Sequence, residues 1–169
     1  VDTETTSLNA MQAKLVGISL SLSSGKACYI PLGHTTAPSG ELDFGDQSDL
    51  TQIPLAEAIA ALKPVLEDPA ILKIGQNIKY DYLILSRHGI DISPLDDTML
   101  ISYTLDAGRH NHGMDELARL HLDHSCIPFK EVCGTGKNQI TFDQVPLDKA
   151  TDYAAEDADI TGRLHRMLK

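Results

Sequence analysis

Apolar and polar residues alternate from Leu15 to Leu22, within a segment running 12–22, which predicts a strand with one buried face. Ser23-Ser24-Gly25-Lys26 then reads as a hairpin turn, and Ala27 to Leu32 as its paired strand. Residues 33–53 are polar with Gly, Pro and Asp, and read as a long surface loop. The period changes at Pro54 to Glu67. Leu55, Ile59, Leu62 and Leu66 recur at helical spacing, and Pro64 is expected to kink or split that helix. Ala70 to Ile74 predicts a short strand. Asn77 reads as the N-cap of a helix ending near His88, with Gly89 as its stop. Ile90 to Ile92 predicts a brief strand, and Asp97 is expected to cap a helix through Leu105. Met114 to Leu122 predicts another helix, and residues 123–145 a loop-rich stretch. The last helix starts near Pro146 and runs through Ala150, Ala154, Ala158, Thr161 and Leu164 to Leu168. Its small residues suit close approach to a sheet. Strands first, then helices alternating with short strands, predict an α/β fold.

Composition narrows the class. With 169 residues, 42% apolar and 22% charged, the chain suits one domain with one core. No apolar run approaches the ~20 residues of a membrane span, so no membrane partner is expected. Cys28, Cys126 and Cys133 are an odd count at unrelated spacings, which fits reduced thiols and a cytoplasmic setting. The chain opens on Val1, and its first motif begins at Asp2. A buried central strand needs residues ahead of its acid, so the expectation is a fragment of a longer chain. The 24 acidic and 14 basic side chains leave a net charge of −10. Such a balance makes a poor stand-alone binder of nucleic acid.

The candidate chemistry lies in three short motifs. Asp2 and Glu4 are two residues apart in Val-Asp-Thr-Glu-Thr, so on a strand they share a face. Asn77 and Asp81, and Tyr153 and Asp157, are four apart, so on helices each pair shares a face. Four converging carboxylates repel unless hard cations sit among them, which points to metal-assisted phosphodiester cleavage.

In this order, Asp-x-Glu, Asn-x-x-x-Asp and Tyr-x-x-x-Asp resemble the tyrosine-bearing branch of the DEDD 3′–5′ exonucleases. The stretches 75–81, 96–100, 136–142 and 153–159 resemble the proofreading domain of the bacterial DNA polymerase I family, and the match spans nearly the whole chain. The resemblance implies an RNase H-like fold, with a mixed five-stranded sheet flanked by helices, and one domain over 1–169. It implies removal of mononucleotides from single-stranded or frayed DNA 3′ ends, with a polymerase domain of the same chain as partner. It also implies two divalent ions, Mg²⁺ or Mn²⁺. Asp2, Glu4 and Asp157 hold one ion, Asp2 bridges to the second, and Asp81 supports that one through water. Tyr153 orients the attacking water. Thr5, Leu8, Asn77 and Phe129 contact the frayed end, with Leu8 and Phe129 wedging or stacking on bases.

Competing readings remain. An RNase D-like exoribonuclease has the same acids and tyrosine, although the stretches at 96–100 and 136–142 favour the polymerase type. A non-catalytic nucleic-acid-binding module is the alternative of another class. His121, His124, Cys126 and Cys133 fit no common zinc spacing. Glu156 and Asp159 are expected to turn away from the packed stripe of the last helix and to be exposed. Asp96 and Asp97 read as helix-capping rather than metal-binding.

Overall fold

The computed structural model describes residues 1–35 and 50–169. Most of the long loop read at 33–53 therefore lies outside the described residues. Strand β1 (Asp2–Thr5), β2 (Leu15–Ser23) and β3 (Lys26–Pro31) form an antiparallel sheet in the order β1-β2-β3. After helix α1 (Leu55–Leu66), β4 (Lys73–Gly75) and β5 (Leu95–Asp97) form a parallel pair. Helix α2 (Lys79–Arg87) connects them. Strand pairing among the described residues groups them as three and two. The amino group of Val1 donates to the carbonyl of Ile74 at 2.7 Å, which sets the start of β1 beside β4. Helices α3 (Thr98–Asp106), α4 (Met114–Leu122), α5 (Phe129–Cys133) and α6 (Leu147–Leu168) complete the chain.

Two apolar clusters cover the sheets. In one, Leu15 and Ile18 pack with Leu66, Ile84, Leu85, Ile90 and Ile92, so α1 and α2 close that side. In the other, Val16 and Tyr29 pack with Val132, Phe142, Ala150 and Ala154, so α5 and α6 close it. A third cluster docks α4 on α6 through Leu117, Ala118, Ile160 and Leu164. Ala150, Ala154 and Ala158 are fully buried, which is how α6 comes close to the sheet.

The β1–β2 register shifts by one residue between Glu4 and Thr5. Val16 is the extra residue, and it joins the α6 side while Leu15 joins the other. A bulge re-aims side chains in this way and bends the strand beside a site. Gly17 lies opposite Glu4 in this register. A Cβ there would lie 2.2 Å from the Tyr29 hydroxyl, so only glycine admits that ring across the strand.

Several expected elements differ. Helix α1 continues through Pro64 to Leu66, and the proline falls in the last turn, where little helix follows it to be disrupted. The strand read at Ala70–Ile74 starts only at Lys73. Ile90–Ile92 is not a strand. Ile90 and Ile92 are buried core residues, and the strand is Leu95–Asp97. Asn77 is not an N-cap. It sits at φ 56°, outside α2, and its N–H donates to Asp97 Oδ1 at 2.9 Å. Asp97 also accepts from Ile78 N and from Met99 N, so one carboxylate serves the starts of both α2 and α3.

Candidate active site

Strand β1 supplies the first two acids. Asp2 pairs with Ser19 and Glu4 with Gly17, so period two places both on one face. Helix α6 crosses that face and carries Asp157 to it. One carboxylate oxygen each of Asp2, Glu4 and Asp157 lies within 4.8 Å of the other two. Glu4 is 7% exposed and Asp157 is 6% exposed. Glu4 Oε1 is buried with no hydrogen-bond donor. An orphaned carboxylate oxygen among two more carboxylates fits a hard divalent cation, which takes oxygen ligands.

Asp81 occupies a different position. It is 2% exposed in the first turn of α2, and its Oδ1 accepts from Thr3 N at 2.9 Å and Thr3 Oγ1 at 2.5 Å. It stands near enough to Asp2 to repel it, but outside the three-carboxylate group. Tyr153 stands one helical turn before Asp157 and lines the same cleft, close enough for the two side chains to shift each other's proton affinity.

Electrostatics set all four acids against ionisation. Burial raises Asp2 to about 6, against the pull of the amino group and the Thr3 N–H. Burial, then Asp2, raises Asp81 to about 8. Burial and the neighbouring acids push Glu4 well above the usual carboxylate range. Burial, then Asp2, moves Asp157 the same way, although the neighbouring Tyr153 hydroxyl opposes the shift. Burial, then Asp157 and the other acids, raises Tyr153 above the ordinary tyrosine value, so it keeps its proton.

A stability prediction follows from these directions. Unfolded, these aspartates ionise near the ordinary value of 3.8, whereas folded Asp2 and Asp81 hold protons to about 6 and about 8. The native state binds more protons across that window. The contribution of Asp2 and Asp81 to metal-free stability is therefore full below about pH 4 and is lost as pH rises through about 6 and about 8. Added Mg²⁺ should raise the melting temperature more at pH 8 than at pH 5. Melting curves at both pH values, with and without Mg²⁺, check this; equal shifts would contradict it.

The acids Asp2, Glu4 and Asp157 open into a cleft of about 800 Å³. Thr5, Thr6, Ser7 and Leu8 line one side, and Phe129, Gln139, Ile140, Thr141 and Phe142 the other. Leu8 is 96% exposed and Phe129 is 45% exposed, so neither is ordinary core. The Phe129 ring meets Tyr153 edge-on, with centroids 6.2 Å apart. Thr5 Oγ1 and Tyr80 Oη are 2.5 Å apart, and Thr5 also donates to the Ser7 carbonyl. Asn77 is exposed and does not line the cleft. Tyr80, Gln139 and Thr141 line it without having been singled out from the sequence. Their signal was adjacency: Tyr80 precedes Asp81, and the other two lie within the quoted stretch 136–142.

Glu156 and Asp159 are not exposed surface acids. Glu156 accepts from Ile127 N at 2.6 Å, and its Oε1 lies 2.8 Å from His124 Nε2. Asp159 accepts from Gly25 N at 2.8 Å, which ties the β2–β3 turn to α6. Asp96 is held by His165 and Lys169.

A family model described as 3′–5′ exonuclease matches residues 1–169. The chain is 52% identical to DNA polymerase I of Rhizobium leguminosarum over 177 residues, and 44% identical to that of Pseudomonas aeruginosa over 170 residues. Each match covers 99% of this chain, but only 17% and 18% of those proteins. Among solved structures, Brucella melitensis NrnC bound to pGG superposes with a TM-score of 0.70 at 23% identity, over 99% of this chain and 69% of that one. NrnC with bound Mg²⁺ gives 0.66 at 23% identity, with the same coverage. These likenesses agree with a mixed α/β, RNase H-like fold.

Proposed function

The chain belongs to the 3′–5′ exonuclease domain family of DNA polymerase I, and from that premise we propose that it removes mononucleotides from single-stranded or frayed DNA 3′ ends. Proofreading within a longer chain that also carries a polymerase domain is part of the same reading. The observation that carries it is the convergence of Asp2, Glu4 and Asp157 at the floor of a cleft that Tyr153 also lines.

Asp2, Glu4 and Asp157 would hold a divalent cation, with Asp2 and Asp81 supporting a second; Mg²⁺ and Mn²⁺ suit the all-oxygen donor set. Such ions supply an activated water and charge neutralisation at the leaving 3′ oxygen. The chain's own residues do the rest. Tyr153 stays protonated, so its hydroxyl orients the nucleophile rather than taking its proton. Asp81 is fixed by two bonds from Thr3, so its position does not depend on substrate. Leu8 and Phe129 offer exposed apolar surface at the mouth, where unpaired bases can stack.

Digestion of 5′-labelled single-stranded DNA with Mg²⁺, and with EDTA as control, tests the reading. A one-nucleotide ladder from the 3′ end is expected. Faster loss of a matched RNA would favour the exoribonuclease reading, and metal-dependent binding without cleavage the non-catalytic one.

The cleft lining contains no Lys or Arg among the described residues. Grip should therefore come from the terminal nucleotides. Binding measured in Ca²⁺ should change little beyond about four nucleotides. Its salt dependence should be shallow beside that of a protein making 6–10 phosphate contacts. Affinity that climbs over tens of nucleotides would reveal a basic groove and remove the need for a neighbouring domain to hold the strand.

A further inference from the structure

The four residues with zinc-like chemistry in the sequence do not converge as a set. Cys133 is buried with Val16, Val132 and Phe142, and the His121 ring faces His110 with centroids 6.2 Å apart. His124 and Cys126 do converge, and the third member comes from α6. One ligand atom each of His124, Cys126 and Glu156 lies within 4.8 Å of the other two. All three residues are half-buried, so the group is reachable from solvent.

The scaffold around it is ordered. Helix α4 stops at Asp123, which takes the left-handed conformation at φ 50°. The His124 N–H then returns to the Ala118 carbonyl at 3.2 Å, so the histidine leaves the helix in a set direction. Glu156 is oriented by the Ile127 N–H on Oε2, which leaves Oε1 toward His124. An outer hydrogen bond of this kind is what holds a ligating carboxylate in place. Glu156 and Asp157 are neighbours in sequence, but a helix turns ~100° per residue, so one faces the α4–α5 loop and the other the cleft. Burial, then Glu156, Asp115 and Asp157, pushes the Cys126 thiol up. That field opposes a lone thiolate and favours a thiolate bound to a cation.

We propose that His124, Cys126 and Glu156 form a separate cation site, about a quarter-turn around α6 from the exonuclease acids. Nitrogen, sulfur and oxygen donors select a borderline ion such as Zn²⁺ over Mg²⁺, which requires oxygen. Three protein ligands leave the fourth tetrahedral position to water. On binding, the thiol gives its proton to buffer, the proton shared by His124 Nε2 and Glu156 passes through water to Nδ1, and the hydrogen bond is exchanged for two bonds to the ion. The ion then staples the α4–α5 loop to α6.

The test uses the whole chain in excess Mg²⁺, which occupies the oxygen-only acids. Titration with Co²⁺ should give thiolate-to-cobalt absorption in the near ultraviolet, saturating at one equivalent. Asp2→Asn should keep this band, and Cys126→Ser and His124→Ala should each lose most of it, with circular dichroism confirming the fold of each variant. Zn²⁺ at 100 times its dissociation constant should raise the melting temperature by roughly 5–10 °C in the parent chain, and much less in Cys126→Ser. No thiolate band at stoichiometric Co²⁺, or a band undiminished in Cys126→Ser, overturns the site. Neither result bears on exonuclease activity, which rests on other residues.

Discussion

Asp2→Ala and Asp157→Ala should each lower Mg²⁺-supported DNA digestion by ~10³-fold or more while leaving the fold intact. Each removes one of three carboxylates whose oxygens converge within 4.8 Å, so the remaining pair holds a cation weakly. The apo protein should not lose stability. Burial and mutual repulsion raise the proton affinity of these acids, so the cluster is under strain when ionised without metal. Removal of one member should leave the melting temperature at pH 8 unchanged or higher. Digestion rates at matched metal concentration, paired with melting curves, separate the two effects. Near-normal digestion by either variant would refute the assignment, and a melting temperature lowered by many degrees would recast the acid as structural.

Tyr153→Phe should slow digestion by roughly 10–10³-fold with little change in metal affinity. The ring is wedged between Phe129 and Phe142, at centroid distances of 6.2 and 5.8 Å, and the substitution keeps it there. Only the hydroxyl, which stands near Asp157, is lost. The loss should fall on kcat rather than on KM, because orientation of the nucleophile is used in the transition state. Single-turnover rates over a metal titration check this. An unchanged rate at saturating metal reduces Tyr153 to a packing residue.

The site was legible where it depends on one element at a time. Asp2 and Glu4 share a face because a strand has period two, and Tyr153 reaches Asp157 because a helix repeats every 3.6 residues. The same rule failed for Asn77 and Asp81. Their spacing of four has meaning only inside a helix, and α2 begins at Lys79. Asp97 takes the capping role from β5, and no local pattern around Asn77 reports a carboxylate arriving from 20 residues away. Strand β5 was missed for a related reason. Leu95-Asp96-Asp97 is short and acidic, and it becomes a strand through its parallel pairing with β4. Glu156 and Asp159 read as solvated because helical position cannot show that loops will fold back over them.

By itself the sequence determined which groups are the candidates for the chemistry, since periodicity and motif order are properties of neighbours along the chain. It also determined the β2–β3 hairpin, α4 and the small-residue stripe of α6, each a pattern within one element. Tertiary structure alone decided which groups share a place. The crossing of α6 over β1 joins Asp157 to Asp2 and Glu4, whereas Thr3 holds Asp81 to one side. It decided too that His124 and Cys126 meet Glu156 rather than Cys133. Convergence of distant residues follows from how elements pack, and packing is set by buried surface summed over the whole fold rather than by any one stretch of it.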